Sequence, residues 1–345
     1  MLLLSQRPLT ASDADNRLFA NRSDELKRVC RALDLGLNVY VWGARGTGRT
    51  SLLHQVQRLR PDSRYVRLEG YKNLTERLDE VERVLSGKRR LQRQQRVSRP
   101  SLLDPFASTR DYELRTVTVA EDPVRRLRTV AGVDSGGPRP VVLVDDLSRS
   151  DLHEMFGRLR DNMWELPIQW VVTGETAHLS PPADTFFDLS VELPPLDQVG
   201  LAELLQRRAA SGTPQEQSLL LTSATPALET IAPCTPRRAL AVLRDVYLSD
   251  DATELTDELL RVQTARAHLK PTANKVLEAL MAHGPAHAGD ERLLAEVGVT
   301  RSRIVQVLAV LEAEGLVSAE RVGRRKLYAP RSASLGRGHA GAAAS

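Results

Sequence analysis

Gly43-Ala44-Arg45-Gly46-Thr47-Gly48-Arg49-Thr50 stands between the apolar run Val39-Tyr40-Val41-Trp42 and the helical pattern Ser51-Leu52-Leu53-His54-Gln55-Val56. A strand that passes through a Gly-rich turn into a helix start aims backbone N–H groups and the positive end of a helix dipole at one point, as the β-phosphate of a nucleotide requires. Gly43, Ala44, Arg45, Gly46, Thr47, Gly48, Arg49, Thr50 and Ser51 therefore read as a phosphate-binding loop, with the Thr50 hydroxyl directed to Mg²⁺. Arg49 occupies the place where such loops carry Lys. It keeps the charge, but its planar fork is larger than the compact ammonium that follows the β- and γ-phosphates during transfer. The expectation is ATP binding first, with weak hydrolysis to ADP and phosphate at most.

Downstream, Val141-Val142-Leu143-Val144 is the most apolar strand of the chain and closes on Asp145-Asp146. Paired carboxylates at a strand end, beside a phosphate loop on a neighbouring strand, suit Mg²⁺-nucleotide chemistry. Asp145 would hold the ion, mostly through water, and Asp146 would orient an attacking water. Tyr65–Leu68, Ile168–Val172 (ending at Thr173-Gly174) and Phe187–Leu193 are further strands. Their alternation with helical patterns, such as Leu26, Val29, Cys30 and Leu33 on one face, predicts an α/β P-loop NTPase core with a parallel, helix-covered sheet.

The 345 residues, 41% of them hydrophobic, allow two or three domains with real cores. Lys and Arg number 48 against 44 Asp and Glu, a balance too even to imply polyanion binding by itself. Cys30 and Cys234 fit neither a disulfide framework nor a metal-site spacing, which implies a reducing compartment and a cytoplasmic location. Met1-Leu2-Leu3-Leu4 gives way at once to Ser5-Gln6-Arg7-Pro8, too short for a signal core, and no apolar run of about eighteen residues follows. No membrane segment is expected.

The organisation reads as a polar leader (1–16), a nucleotide-binding core (17–195) with a basic insert at about 87–140, a helical lid (196–268), a winged-helix domain (269–331) and a low-complexity, disordered tail (332–345). Lys88, Arg89, Arg90, Arg93, Arg96 and Arg99 in the insert come with no acid and no aromatic. A solvated charged face is the simpler reading there, and DNA-phosphate contact the alternative. In the C-terminal unit, Asn274–Met281, Glu291–Val297 and Arg301–Glu314 are helices, the last capped by Thr300. Ile304, Leu308 and Leu311 share its inner face, leaving Ser302, Gln306 and Arg303 for a major groove. Glu320 to Tyr328 follows as a hairpin with Arg321, Arg324, Arg325 and Lys326 at its tip, placed for duplex-DNA phosphates. His283 and His287 are separated by the helix-breaking Gly284-Pro285 and read as loop histidines rather than a metal pair.

The order of these elements resembles the AAA+ ATPases, in the clade of origin-recognition and helicase-loader proteins and the STAND relatives. Phe19-Ala20-Asn21-Arg22-Ser23-Asp24-Glu25-Leu26 is similar to their entry motif, with Asn21 in place of Gly. The resemblance implies that Thr173 is sensor 1, that Pro194-Pro195-Leu196 opens the lid, and that Arg237 in Thr235-Pro236-Arg237-Arg238 is sensor 2, reaching the γ-phosphate. Asp146, Thr173 and Arg237 would then be the catalytic set. Asp146 replaces the commoner Glu, and residues 174–206 hold no Arg for a neighbour's active site, so a finger would come from Arg158, Arg160 or a partner. The pattern implies a nucleotide switch that places a winged helix on DNA, with homo-oligomer or protein partners open. Two alternatives remain: an adaptor with a degenerate ATPase core whose winged helix binds protein in a mobile-element or defence assembly, and a nucleotide-sensing transcriptional regulator.

Overall fold

The computed structural model describes residues 2–68, 73–87, 122–132, 139–175, 179, 181–249, 252–323 and 325–330. The basic stretch 88–99, Arg324 and the tail 332–345 lie outside the described residues.

After a short helix α1 (Asp13–Asn16), the core runs α2 (Ser23–Asp34), β1 (Val39–Trp42), α3 (Arg49–Leu59), β2 (Arg64–Arg67), α4 (Leu74–Leu85), α5 (Pro123–Val130) and β3 (Val141–Asp145). It continues through α6 (Arg149–Leu152), a π-helical turn at His153–Arg158, α7 (Arg160–Trp164), β4 (Gln169–Gly174) and β5 (Leu189–Glu192). The five strands are all parallel, in the order β2-β3-β4-β1-β5. Both faces are covered, which is why β3 and β4 are buried at every position. Successive residues feed opposite cores: Tyr40, Val142, Val144, Trp170 and Val172 face α4 and α5, whereas Val39, Val41, Leu143 and Val171 face α2 and α3.

Four helices form the lid: α8 (Gln198–Ala209), α9 (Pro214–Ile231), α10 (Pro236–Leu248) and α11 (Ala252–Ala267). Thr213 and Glu216 close a capping box on α9. The lid is pinned to its own entry by Leu196, which exchanges both backbone hydrogen bonds with Cys234 at 2.8 and 3.1 Å. Burial pushes the Cys234 thiol up to about 11, leaving a packing residue rather than a nucleophile.

The C-terminal unit comprises α12 (Pro271–His283), β6 (Ala286–His287), α13 (Glu291–Val297), α14 (Arg301–Ala313), β7 (Val317–Val322) and β8 (Arg325–Pro330). Val276, Leu277, Leu280, Leu293, Ile304, Leu308, Leu311 and Tyr328 form its core, and its sheet order is β6-β8-β7. This is a winged helix-turn-helix domain. One expectation is corrected: His283 and His287 are not loop residues. His283 is the last residue of α12, and Gly284 turns the chain at φ +88° so that Ala286 and His287 pair with Tyr328 and Leu327. The two-residue strand was too short to leave a periodic signal. A parallel sheet of this order with a helical lid and a winged helix is an AAA+-type P-loop architecture.

The polar stretch before Arg17 is packed in place. Leu4 joins the lid core, Leu9 is buried, and the Leu9 N–H donates to Ser51 Oγ at 3.0 Å. Asp15, almost fully buried, accepts two 2.8 Å bonds from the Arg7 guanidinium and two 2.7 Å bonds from Thr10. Arg7 first, then Thr10, hold its carboxyl well below the usual carboxylate range. A folded-state pKa below the unfolded value stabilises at neutral pH and is lost as pH falls. Asp15→Asn should therefore lower the unfolding free energy by about 1–3 kcal/mol at pH 7. In urea denaturation the gap to wild type should shrink as pH drops below about 4.

Candidate nucleotide site

The loop after β1 can turn because Gly46 (φ +86°) and Gly48 (φ +102°) take backbone conformations that side chains disfavour. Gly46 also admits the lid. A Cβ there would stand 2.7 Å from Arg237 Cβ, and the Gly46 carbonyl accepts the Arg237 N–H at 3.3 Å. Gly48 caps α3 without a side-chain acceptor, leaving the first N–H groups of this helix to an anion.

Asp145 is the centre of the site. It is 2% exposed and receives three hydroxyls: Thr50 Oγ1 and Tyr65 Oη donate to Oδ2, and Thr173 Oγ1 donates to Oδ1, each at 2.8 Å. Thr173 Oγ1 in turn accepts the Asp146 N–H at 2.8 Å. This bond supports Asp146 at φ +57°, a left-handed conformation rare outside glycine. The structure thus brings Thr50, Asp145, Asp146 and Thr173 together.

Tyr65 was missed in the sequence and treated only as a strand residue. Register holds the signal: Arg67 pairs with Asp145, so Tyr65, two residues back, lies on the same face of the neighbouring strand. Burial, then the charge of Asp145, push the Tyr65 phenol up, so it remains a donor to the carboxylate.

Arg49 is buried and does not extend freely into the cleft. Its Nη2 donates to Asp146 Oδ1 at 3.0 Å and lies 3.4 Å from Glu175 Oε1, while its Nη1 has no hydrogen-bond partner among the described residues. Glu175, also missed, bonds Arg45 Nε at 3.0 Å.

The loop opens on a cleft of about 300 Å³, at the lower end of small-molecule sites. Among the described residues, seven arginines line it (Arg7, Arg22, Arg45, Arg49, Arg67, Arg208 and Arg237) against one carboxylate, Asp146. Its apolar lining comes from the leader (Pro8, Leu9), from Phe19, and from the lid (Leu204, Leu240). Burial lowers the Arg208 guanidinium to about 10. The donor set fits a Mg²⁺-nucleotide: hard oxygens on Thr50 and Asp145, an unpaired N–H on the buried Arg49, and an uncapped helix start.

The entry motif contacts the first lid helix and the chain leading into it. Asn21 stands where the AAA+ pattern has Gly and adopts φ +47°, with its N–H on Glu203 Oε2 at 3.1 Å. Arg22 is buried, donating to Glu25 at 2.9 Å and to the Pro194 carbonyl.

The remaining predicted residues lie elsewhere. Arg158 is exposed, and Arg160 bonds Asp161 and Thr185 with its guanidinium 4.9 Å above the Trp164 ring. Ser302, Arg303 and Gln306 are exposed along α14, and Arg303 donates to Gln306 at 3.0 Å. Arg321 sits opposite Lys326 in the hairpin. Lys326 pairs with Glu312 at 2.7 Å, and Arg325 meets His287 Nε2 at 3.1 Å.

No family model matches the sequence, and no curated protein matches it. Among solved structures the chain is similar to the Aeropyrum pernix ORC2 protein in ADPNP–ADP complexes (15% identity, 90% of each chain covered, TM-score 0.45). It is also similar to the Thermotoga maritima RuvB Holliday junction branch migration motor (16% identity, 96% of this chain and 97% of that one, TM-score 0.37). A third similar structure is Drosophila ORC bound to AT-rich DNA and Cdc6 (9% identity, 94% of this chain and 92% of that one, TM-score 0.32).

Tyr65 orients the Asp145 carboxylate, and if that carboxylate holds a divalent ion, Tyr65→Phe is expected to cost about 10–100-fold in its affinity. A Mg²⁺ titration of fluorescent-nucleotide binding measures this.

Proposed function

We propose that the chain is an ATP-binding AAA+ switch of the origin-recognition and helicase-loader type, in which nucleotide state governs DNA binding by the C-terminal winged helix. The observation that carries this reading is the convergence of Thr50, Asp145 and Thr173 through single hydrogen bonds, beside a Gly46 whose carbonyl holds the lid at Arg237. Thr50 and Asp145 would hold Mg²⁺, which when bound neutralises phosphate charge. The N–H groups at the start of α3 would bind the β-phosphate, and Thr173 fixes the backbone of Asp146, the residue placed to orient water.

Slow turnover follows from the Arg49–Asp146 ion pair. Arg49 must leave Asp146 to reach a phosphate, and Asp146 must be free of Arg49 to take a proton from water. One pair restrains both groups. Arg49→Lys, with a shorter and more mobile cation, is expected to raise the ATP hydrolysis rate by about tenfold or more, the equivalent of about 1.4 kcal/mol in the barrier. A phosphate-release assay reads this directly.

The lid supplies the switch. Arg237 is anchored to the loop through its backbone, so its side chain can respond to the γ-phosphate and set the lid angle. Wild-type protein should bind duplex DNA more tightly with saturating ATP·Mg²⁺, with affinity falling as salt rises. Arg237→Ala should lose most of this ATP response. Anisotropy over a salt series decides, and a full ATP response in Arg237→Ala would contradict the mechanism.

The adaptor reading is favoured by one observation: Lys326 and Arg325 are already engaged by Glu312 and His287 within the same domain. Salt-insensitive binding to a protein and no duplex affinity in either nucleotide state would establish it instead.

A further inference from the structure

Arg45 joins the P-loop to the winged-helix unit. Arg45 Nε bonds Glu175 at 3.0 Å, while its Nη1 lies 3.0 Å from His283 Nδ1, at the end of α12. His283 Nε2 lies 2.5 Å from Glu296 Oε2 on α13. On the other side, Glu175 also meets Arg49, which holds Asp146. The contacts form an unbroken series, Asp146–Arg49–Glu175–Arg45–His283–Glu296, from the nucleotide site to the two helices that precede α14.

The imidazole has a defined role in this series. A guanidinium can only donate, so Nδ1 accepts, and Nε2 carries the proton that Glu296 receives. In this tautomer the imidazole is neutral, so both of its links, to Arg45 and to Glu296, are hydrogen bonds without opposite charges, and Arg45–His283 is the one that joins the loop to α12.

We propose that this series is a latch that fastens the winged-helix unit to the phosphate loop, and that the γ-phosphate of a bound nucleotide opens it. The inference rests on the nucleotide-binding reading above and adds the route by which the site reaches the DNA-binding unit. Arg49 is the member exposed to competition: its Nη1 is buried and unpartnered among the described residues, so a phosphate oxygen offers it a partner that Asp146 and Glu175 do not supply. As Arg49 turns to the phosphate, Glu175 is left to Arg45 alone. Arg45, itself lining the cleft, is drawn toward the added negative charge. The series parts at Arg45–His283, the link between the loop and the winged-helix unit, and α12 is freed from the loop. The latch contacts are partly exposed, with Arg45 and Glu175 at 40% and 45%, so they hold the unit weakly enough for a ligand to reverse.

Linkage gives the test a sign. A latch that nucleotide must open weakens nucleotide binding, so breaking it from the far side should tighten ATP. The full-length chain carries nitroxides at Asp62→Cys and Glu314→Cys in a Cys30→Ser background, and pulsed-dipolar spectroscopy measures their separation. Nucleotide-free wild type is expected to give a narrow distribution, and ATP·Mg²⁺ a longer and broader one. His283→Ala should give the broad distribution without nucleotide and bind ATP·Mg²⁺ roughly 2–10-fold more tightly. His283→Asn, whose Oδ1 can replace Nδ1 as acceptor, should restore both values. Glu175→Gln breaks the series from the core side and should behave as His283→Ala, which keeps the test intact if one variant folds poorly. Superimposable distributions for nucleotide-free wild type, His283→Ala and Glu175→Gln would overturn the latch. Bound ATP that leaves the wild-type distance unchanged would overturn its release. A wild type that binds no nucleotide would overturn the functional reading and the release with it, while the variant distances still decide the latch.

Discussion

A carboxylate buried at the end of β3 organises this molecule. Removing the Asp145 charge from water carries a large penalty unless its oxygens are satisfied, and here three hydroxyls satisfy them. Each comes from a different element: Thr50 from α3, Tyr65 from β2 and Thr173 from β4. The site therefore also ties neighbouring strands and the loop helix to one another. A one-residue slip of β2 would carry Tyr65 to the opposite face of the sheet, and a slip of β4 would do the same to Thr173. Register and site geometry therefore enforce each other at these strand ends.

From this anchor the cleft is assembled out of segments far apart in the chain. The loop supplies the anion cradle, the stretch before Arg17 and Phe19 supply apolar walls, and α8 and α10 close over them. Close approaches at two glycines make that closure tight. Gly46 meets Arg237, and Gly200 meets Asn21, whose side-chain amide fills the place an added Cβ would take. A ligand in the cleft touches core, leader and lid together, so its binding energy can bias the lid angle without a separate relay.

Much of this was legible in the residues. The strand–loop–helix at Val39–Val56 and the apolar strand closing on Asp145-Asp146 carry their chemistry in local order, and hydrophobic periodicity marked the lid and the winged helix. What stayed hidden depends on register and on three-dimensional meeting. Tyr65 becomes a site residue only when β2 is laid beside β3. Glu175 acquires meaning only when β4 places it beside Arg45 and Arg49. Leu4 ends a four-residue apolar run and Leu9 stands alone among polar residues, so neither carries a periodicity to announce that it packs. The β6 strand is two residues long, below what any pattern can register.

The one unusual residue of the loop explains itself in this setting. A Lys at position 49 would offer a single ammonium, which a phosphate and an acidic neighbour would compete to hold. Arg49 offers a fork, and the structure uses only part of it: Nη2 is held by Asp146 and Glu175, while Nη1 is left over. A planar, pre-organised guanidinium can begin to engage a phosphate through Nη1 before Nη2 leaves the acids. The substitution thus trades the mobility that phosphoryl transfer needs for a stepwise exchange of protein partners for ligand. That exchange suits a site whose output is a change of shape. It also places Arg49 at the branch point between Asp146, which would act on water, and Glu175, which leads through Arg45 to the winged-helix unit, so in the proposed switch the residue that would slow chemistry is also the one through which binding would be felt elsewhere.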